Sequence, residues 1–184
     1  MSDPVPSRTV LVLGGARSGK SRFAEALVLK SGRTPVYLAT SGTPRDGEMA
    51  ERVAHHRAQR GDEWRTVEAP LDLIPVLADA ARPDTAVLVD CLTLWLANLM
   101  EAGRDADAEA AALAASLAAL SGPVVFVSNE VGHGVVPENA LARRFRDHHG
   151  RLNQTIAAAA DKAILMVAGR PLVLPKSPDP EIVL

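Results

Sequence analysis

Short, almost continuously apolar runs recur along the chain: TVLVL (9–13), PVYLA (35–39), AVLVD (86–90), VVFVS (124–128) and AILMV (163–167). Each is rich in β-branched residues and five long, which predicts strands of a parallel sheet buried on both faces. Between them the spacing of apolar positions predicts helices over about 19–30, 46–60, 70–81, 91–101, 105–120 and 138–160. The alanine-rich stretch EAGRDADAEAAALAASLAAL reads as an amphipathic crossover helix. Strands alternating with helices predict an α/β fold with a mostly parallel central sheet flanked by helices. No internal repeat or interdomain linker interrupts this order, so 1–184 reads as one domain, with 1–8 and the Pro-rich 176–184 as tails.

Composition narrows the class. The chain has 184 residues, enough for one well-filled core, and 47% of them are hydrophobic against 23% charged. No apolar run approaches the roughly 18 residues of a membrane-spanning helix. The start, MSDPVPSRTV, lacks a basic segment followed by an apolar one, so no targeting signal is visible. One cysteine, Cys91, allows no internal disulfide, and the expected location is the cytoplasm. A formal net charge of −2 argues against nucleic acid as a partner and leaves small-molecule chemistry.

The strongest chemical signal is LVLGGARSGKS, in which a predicted strand runs into Gly14, Gly15, Ala16, Arg17, Ser18, Gly19, Lys20 and Ser21 ahead of a predicted helix. This is the phosphate-binding P-loop in its required context. Glycines let backbone N–H groups surround phosphate oxygens, and the helix that follows presents its positive end to the same charge. Lys20 is placed to reach the β and γ phosphates, and Ser21 to offer a hydroxyl to Mg²⁺. A second Mg²⁺ ligand, direct or through water, is an acidic residue ending a neighbouring strand. Asp90, closing AVLVD, fits; its alternative is a helix cap ahead of CLTLW. The motif predicts nucleoside triphosphate binding and leaves the reaction open.

RVAHHRAQR, 52–60, sets two histidines among arginines. Consecutive helical residues point about 100° apart, so His55 and His56 occupy different faces. His55 has Glu51 and Gln59 at four residues' distance, whereas His56 has Arg52 and Arg60. An imidazole between two guanidiniums suits phosphate oxygens, and flanking cations favour the neutral, nucleophilic ring. His56 is thus the candidate to attack phosphorus, with a solvated basic helix face as the bland alternative. Zinc is disfavoured, because the two rings diverge and no CxxC or HxxxH accompanies them.

Four segments, GGARSGKS, YLATSGTPRDGEMAERVAHHRAQRGDEWRTVEAP, LVDCLTLWLANLM and SNEVGHGVVPENALARRFRDHHGRLNQTIAAAADKAILMVAGRPL, resemble the bifunctional adenosylcobinamide kinase and adenosylcobinamide-phosphate guanylyltransferase family of cobalamin assembly. The resemblance covers almost the whole chain. It implies a RecA-like P-loop NTPase domain that phosphorylates adenosylcobinamide with ATP or GTP. The resemblance further implies that GMP is then transferred from GTP to adenosylcobinamide-phosphate through a covalent GMP-histidine. It places that histidine at His56, with His55 the alternative, and implies nucleotide contacts from Ala39, Thr40, Ser41, Arg57, Ala58, Gln59, Arg60 and Glu68. Glu68 would accept hydrogen bonds from guanine N–H groups; otherwise it is a surface carboxylate at a strand end. The resemblance also implies Mg²⁺ and a ring-like homotrimer with sites between subunits. One departure is Gly61, where family members often carry proline. Without the guanylyl transfer, the same P-loop would serve a plain small-molecule kinase or a nucleotide-gated binding module.

Asn129 and Glu130, after VVFVS, are expected at the carboxyl end of a strand, where open α/β sheets bind ligands, with Glu130 a weak candidate to orient the substrate hydroxyl. The second pair, His148 and His149, is expected on a solvated or intersubunit helix. Trp64 and Trp95 are candidates to line a corrin site or, more commonly, to fill the core.

Overall fold

The computed structural model describes residues 8–42 and 61–176. Its strands are β1 (Thr9–Gly14), β2 (Thr34–Ala39), β3 (Arg65–Glu68), β4 (Thr85–Asp90), β5 (Val124–Asn129), β6 (Lys162–Val167) and β7 (Arg170–Leu174). Its α-helices are α1 (Lys20–Lys30), α2 (Leu73–Ala80), α3 (Leu92–Glu101), α4 (Ala106–Ser116) and α5 (Ala140–Ala159), with a 3-10 turn over Leu117–Ala119. The strands form one seven-stranded sheet in the order β3-β2-β4-β5-β1-β6-β7, parallel except for β7. This is the single α/β domain that the sequence predicts.

Period-two alternation distributes the apolar strands between two cores. Leu11, Leu13, Val36, Leu38, Val87, Val89, Val124 and Phe126 point to one face and pack with α2, α3, α4 and α5 around the fully buried Trp95. Val12, Tyr37, Ala86, Leu88, Val125 and Val127 point to the other, where Ala24 and Val28 of α1 cover them. Each fully buried Leu or Val contributes roughly 1.5–3 kcal/mol over leaving it exposed.

Polar residues set the ends. The Asp105 carboxylate accepts from the N–H groups of Asp107 and Ala108 at the start of α4, and the Asn139 carbonyl does the same for Leu141 and Ala142 at α5. Asp161 accepts from the Arg8 and Thr9 N–H groups at 2.8 and 2.9 Å, and the Arg8 guanidinium donates to Leu120 O at 2.7 Å. Arg8, expected in the N-terminal tail, therefore belongs to the fold.

All five expected strands are present. The two unexpected ones lie at the sheet edges, β3 beside β2 and β7 beside β6. β7 returns through a two-residue turn at Ala168 and Gly169, both with positive φ (50° and 76°), the turn that matches the twist of a hairpin. The helix expected over 46–60 lies outside the described residues. Among the described residues, no helix is long and apolar enough to cross a membrane.

Candidate nucleotide site

The carboxyl ends of the strands meet along one edge. Gly14 is paired with Asn129, Ala39 with both Glu68 and Asp90, and Asp90 with Val127. The strand between β1 and β4 is β5, so Asp90 ends a strand two places from the P-loop strand and not its immediate neighbour. This corrects the expected adjacency. At about 4.8 Å per strand, the P-loop and Asp90 stand about 10 Å apart across the sheet, a gap that a phosphate chain and its cation can span. A P-loop strand separated from the acidic strand by one intervening strand is the RecA-like order.

The loop from Gly14 to Gly19 is tightly determined. A Cβ on Gly14 would lie 2.4 Å from Ser18 Oγ and 2.9 Å from Met166 O, so only glycine fits there. Gly19 caps α1 with φ 94°, and a Cβ placed on it would lie 3.2 Å from Gly169 Cα. Gly169 N–H donates to Ser18 O at 2.9 Å, so the β6–β7 hairpin turn braces the loop from behind. Arg17 also takes a left-handed conformation, φ 55°. A Cβ on Gly15 would meet nothing within 4 Å, so the backbone is open on that side. The first turn of α1 contains no acidic residue to offset the positive end of the helix.

Ser18 Oγ is the buried side-chain polar atom among the described residues that lacks a hydrogen-bond partner. An orphaned hydroxyl inside a phosphate loop fits a ligand that brings acceptor oxygens. Lys20 Nζ donates to Gly15 O at 3.1 Å and so lies back along the loop it would share with phosphates. Burial pushes the Lys20 ammonium below the ordinary lysine range, with Cys91 and Asp90 acting the other way. The Cys91 thiol is itself pushed up to about 12, chiefly by burial, and is uncharged at neutral pH, so Asp90 is the anion that acts on Lys20 there.

Asp90 is held by a residue absent from the sequence expectations. Tyr37 Oη donates to Asp90 Oδ2 at 2.9 Å, and the Tyr37 ring meets Trp64 edge-on, with centroids 6.3 Å apart. A tyrosine in an apolar strand needs a partner for its hydroxyl, which is the signal that could have found it. Thr40, expected to contact nucleotide, is fully buried. Its Oγ1 donates to Cys91 O and accepts from Cys91 N–H, both at 2.8 Å, so its hydroxyl fixes the chain after β2. Asn98 of α3 donates to Thr40 O at 2.7 Å and Pro70 O at 3.0 Å, tying the segments after β2 and β3 together. These ties bring Ala39, Ser41 and Glu68 to the same edge as Asp90, with Glu68 exposed. His55, His56, Arg57, Ala58, Gln59 and Arg60 lie outside the described residues.

Behind the edge, a second correction concerns the histidine pair of α5. His148 pairs at the surface with Asp107 at 3.0 Å, as a solvated residue does. His149 is fully buried and sits among Thr93, Ser128 and Asn153. Trp95 is core, its indole N–H donating to Leu71 O at 2.8 Å, and Trp64 is half-buried.

Among the described residues no group of three or more His, Cys, Asp or Glu side chains could hold a metal.

Residues 10–174 match the family described as "Cobinamide kinase / cobinamide phosphate guanyltransferase". The chain is 47% identical over 170 residues to the "Bifunctional adenosylcobalamin biosynthesis protein CobP" of Pseudomonas aeruginosa, covering 91% of this chain and 98% of that protein. It is 44% identical to the proteins named "Bifunctional adenosylcobalamin biosynthesis protein CobU" of Escherichia coli and Salmonella typhimurium, in each case over 87% of this chain and 96% of the relative. With a braced P-loop at the carboxyl edge of this sheet and matches of that extent, the chain belongs to the cobinamide kinase / cobinamide phosphate guanyltransferase family.

Proposed function

We propose that this chain phosphorylates the aminopropanol hydroxyl of adenosylcobinamide with ATP or GTP and then transfers GMP from GTP to the new phosphate. The products are adenosylcobinamide-GDP and pyrophosphate. The observation that carries the reading is the loop from Gly14 to Ser21, shaped for phosphate and containing the orphaned Ser18 hydroxyl, in a chain of this family.

In the kinase step the substrate hydroxyl oxygen attacks the γ phosphorus, the bond to the bridging β–γ oxygen breaks so that the nucleoside diphosphate leaves, and the hydroxyl proton passes to water. The backbone N–H groups of Gly15, Ala16, Arg17, Ser18 and Gly19, with Lys20, spread the phosphate charge, and Glu130 orients the hydroxyl. Such transfers rest on positioning and electrostatics, so no strong base is required. Mg²⁺, held by Ser21 and Asp90, neutralises charge on the phosphates when bound.

In the guanylyl step a neutral imidazole attacks the α phosphorus and pyrophosphate leaves. An oxygen of adenosylcobinamide-phosphate then attacks the same phosphorus and the P–N bond breaks. His56 is the nucleophile favoured by its flanking Arg52 and Arg60, and His55 is its competitor. Ala39, Ser41, Arg57, Ala58, Gln59 and Arg60 line the nucleotide, the buried Thr40 fixes the chain between Ala39 and Ser41, and Glu68 reads guanine. The reading includes a cytoplasmic homotrimer; exposed Val135, Val136, Leu172 and Val173 support a partner copy, and light scattering reads the mass.

The test is incubation with Mg²⁺ and GTP labelled at the α phosphate, for wild type, His56→Ala and His55→Ala, beside a kinase assay with ATP and adenosylcobinamide. Label that survives denaturation and alkali, is lost in acid and disappears in His56→Ala is expected. Loss in His55→Ala alone moves the nucleophile to His55. An active kinase with no label in wild type leaves a plain kinase, and neither activity leaves a binding module.

A further inference from the structure

The buried cluster around His149 connects α3, β5 and α5 directly behind the strand end that meets the P-loop. Asn153 Oδ1 accepts the Ser128 hydroxyl at 2.7 Å, which leaves the Asn153 amide hydrogens for Asn129 O at 3.0 Å and His149 Nδ1 at 3.4 Å. Nδ1 therefore faces a donor and is the unprotonated nitrogen. Nε2 carries the hydrogen and donates to Thr93 Oγ1 at 3.0 Å, with Ser128 Oγ at 3.3 Å. Thr93 Oγ1 also accepts the Asn129 N–H at 2.9 Å. Both backbone polar groups of Asn129 are thus held by side chains that His149 touches. The next N–H, that of Glu130, donates to Gly14 O at 3.0 Å, and Asn129 itself is in register with Gly14. The chain of contacts runs from His149 to the first glycine of the phosphate loop.

We propose that His149 is a positioning residue of the kinase step, fixing Asn129, and with it Glu130 and Gly14, through Thr93 and Asn153. The inference rests on the kinase reading above. His149 touches no substrate; it orients the hydroxyl of Thr93 and the amide of Asn153, and these set where Glu130 and the loop stand. A fully packed side chain at this place fills space whatever its chemistry, so the hydrogen-bonding part has to be separated from the volume. His149→Leu keeps most of the volume and removes the donor and acceptor, which leaves Thr93 and Asn153 each short of a buried partner. His149→Gln puts an amide nitrogen where Nε2 stands and restores the donor to Thr93.

The experiment measures kcat and KM for ATP and adenosylcobinamide in wild type, His149→Leu, His149→Gln, Thr93→Val and the His149→Leu/Thr93→Val pair. Nucleotide affinity and hydrogen exchange of the segment containing Asn129 and Glu130 are followed beside them. Expected are a loss of about ten- to a hundredfold in kcat for His149→Leu, little change in ATP affinity, faster exchange at Asn129, and recovery of most of kcat in His149→Gln. The double variant should lose no more than the larger single loss, because both act through one chain of contacts. If His149→Leu does not fold, the contrast between an active His149→Gln and an impaired Thr93→Val carries the same test. An active wild type in which His149→Leu and Thr93→Val keep wild-type kcat, or in which their losses multiply, overturns this inference alone. A wild type inactive on every cobinamide overturns the kinase reading, and this inference falls with it.

Discussion

Two side chains, one at the carboxyl edge and one buried behind it, have their proton affinities lowered by burial with different consequences. Lys20 is depressed by burial, yet its protein partner is a single carbonyl at an exposed position, so its removal would take away the proposed phosphate contact and little structure. Lys20→Met should lower kinase kcat/KM by about a hundred- to a thousandfold, the usual cost of a lost charge-stabilising donor, with an unchanged thermal midpoint. A midpoint that drops with activity would show Lys20 to be structural. His149 behaves in the opposite way. Burial pushes its imidazole below the ordinary 6.5, while Glu130, the charged group acting on it, pulls upward. The folded chain declines a proton that the unfolded chain accepts once pH falls below about 6.5. Stability is thus untouched above that pH and decreases as pH falls through it toward the lower folded value. Urea midpoints of wild type and His149→Gln should therefore keep a constant difference above neutrality and diverge as pH falls below about 6.5, with wild type losing ground. Parallel curves would mean that the ring takes up its proton equally in the folded and unfolded chain, so that burial does not depress it. The same geometry shows why this residue was not legible in the sequence. The rule that adjacent helical residues point about 100° apart separates His148 from His149 as it separates His55 from His56, but which of the two faces the sheet depends on how α5 docks.

At the scale of elements, the sheet was readable where strands are central and unreadable where they are edges. β1, β2, β4, β5 and β6 are apolar on both faces because helices cover both, whereas RTVE in β3 is exposed at its two ends and RPLVL in β7 contains proline, which an edge tolerates. The P-loop itself was legible to the residue, since its function is written in backbone freedom and in two side chains that follow. Its brace was not, because the β6–β7 turn lies about 150 residues away in sequence and contacts the loop through backbone alone. That close packing gives Gly14 a stability role beside its proposed phosphate role. Gly14→Ala should destabilise the chain by about 1–3 kcal/mol in urea denaturation, since the added methyl meets Ser18 Oγ and Met166 O. Adding Ser18→Ala should recover only part of this loss, because the Met166 carbonyl belongs to the neighbouring strand and cannot turn aside. Full recovery in the double variant would show that the strand gives way and that the hydroxyl is the whole obstacle.

Across the whole molecule, the two cores are unequal: four helices cover one face of the sheet, while α1 covers the other among the described residues. The unequal layers share every central strand, with neighbouring residues of one strand pointing into opposite cores, so neither face can lose its packing without disturbing the other. Cooperative unfolding follows, and the two tryptophans report it from opposite sides. Trp95 stands in the larger core against α2, α4 and α5, and Trp64 stands at the smaller one, edge-on to Tyr37. In Trp64→Phe the emission reads the larger core, and in Trp95→Phe it reads the smaller. Within each variant the fluorescence transition should coincide with far-ultraviolet circular dichroism, although Trp95→Phe unfolds at lower urea, having lost buried volume and the bond to Leu71 O. An earlier fluorescence transition confined to Trp64 would make the β2–β3 edge a separate unit of local opening. That edge presents Ala39, Ser41 and Glu68, so such a result would place the guanine-reading part of the proposed site on the more mobile side of the sheet. A single transition would place both proposed reactions on one rigid platform, with Asp90 and Tyr37 between them.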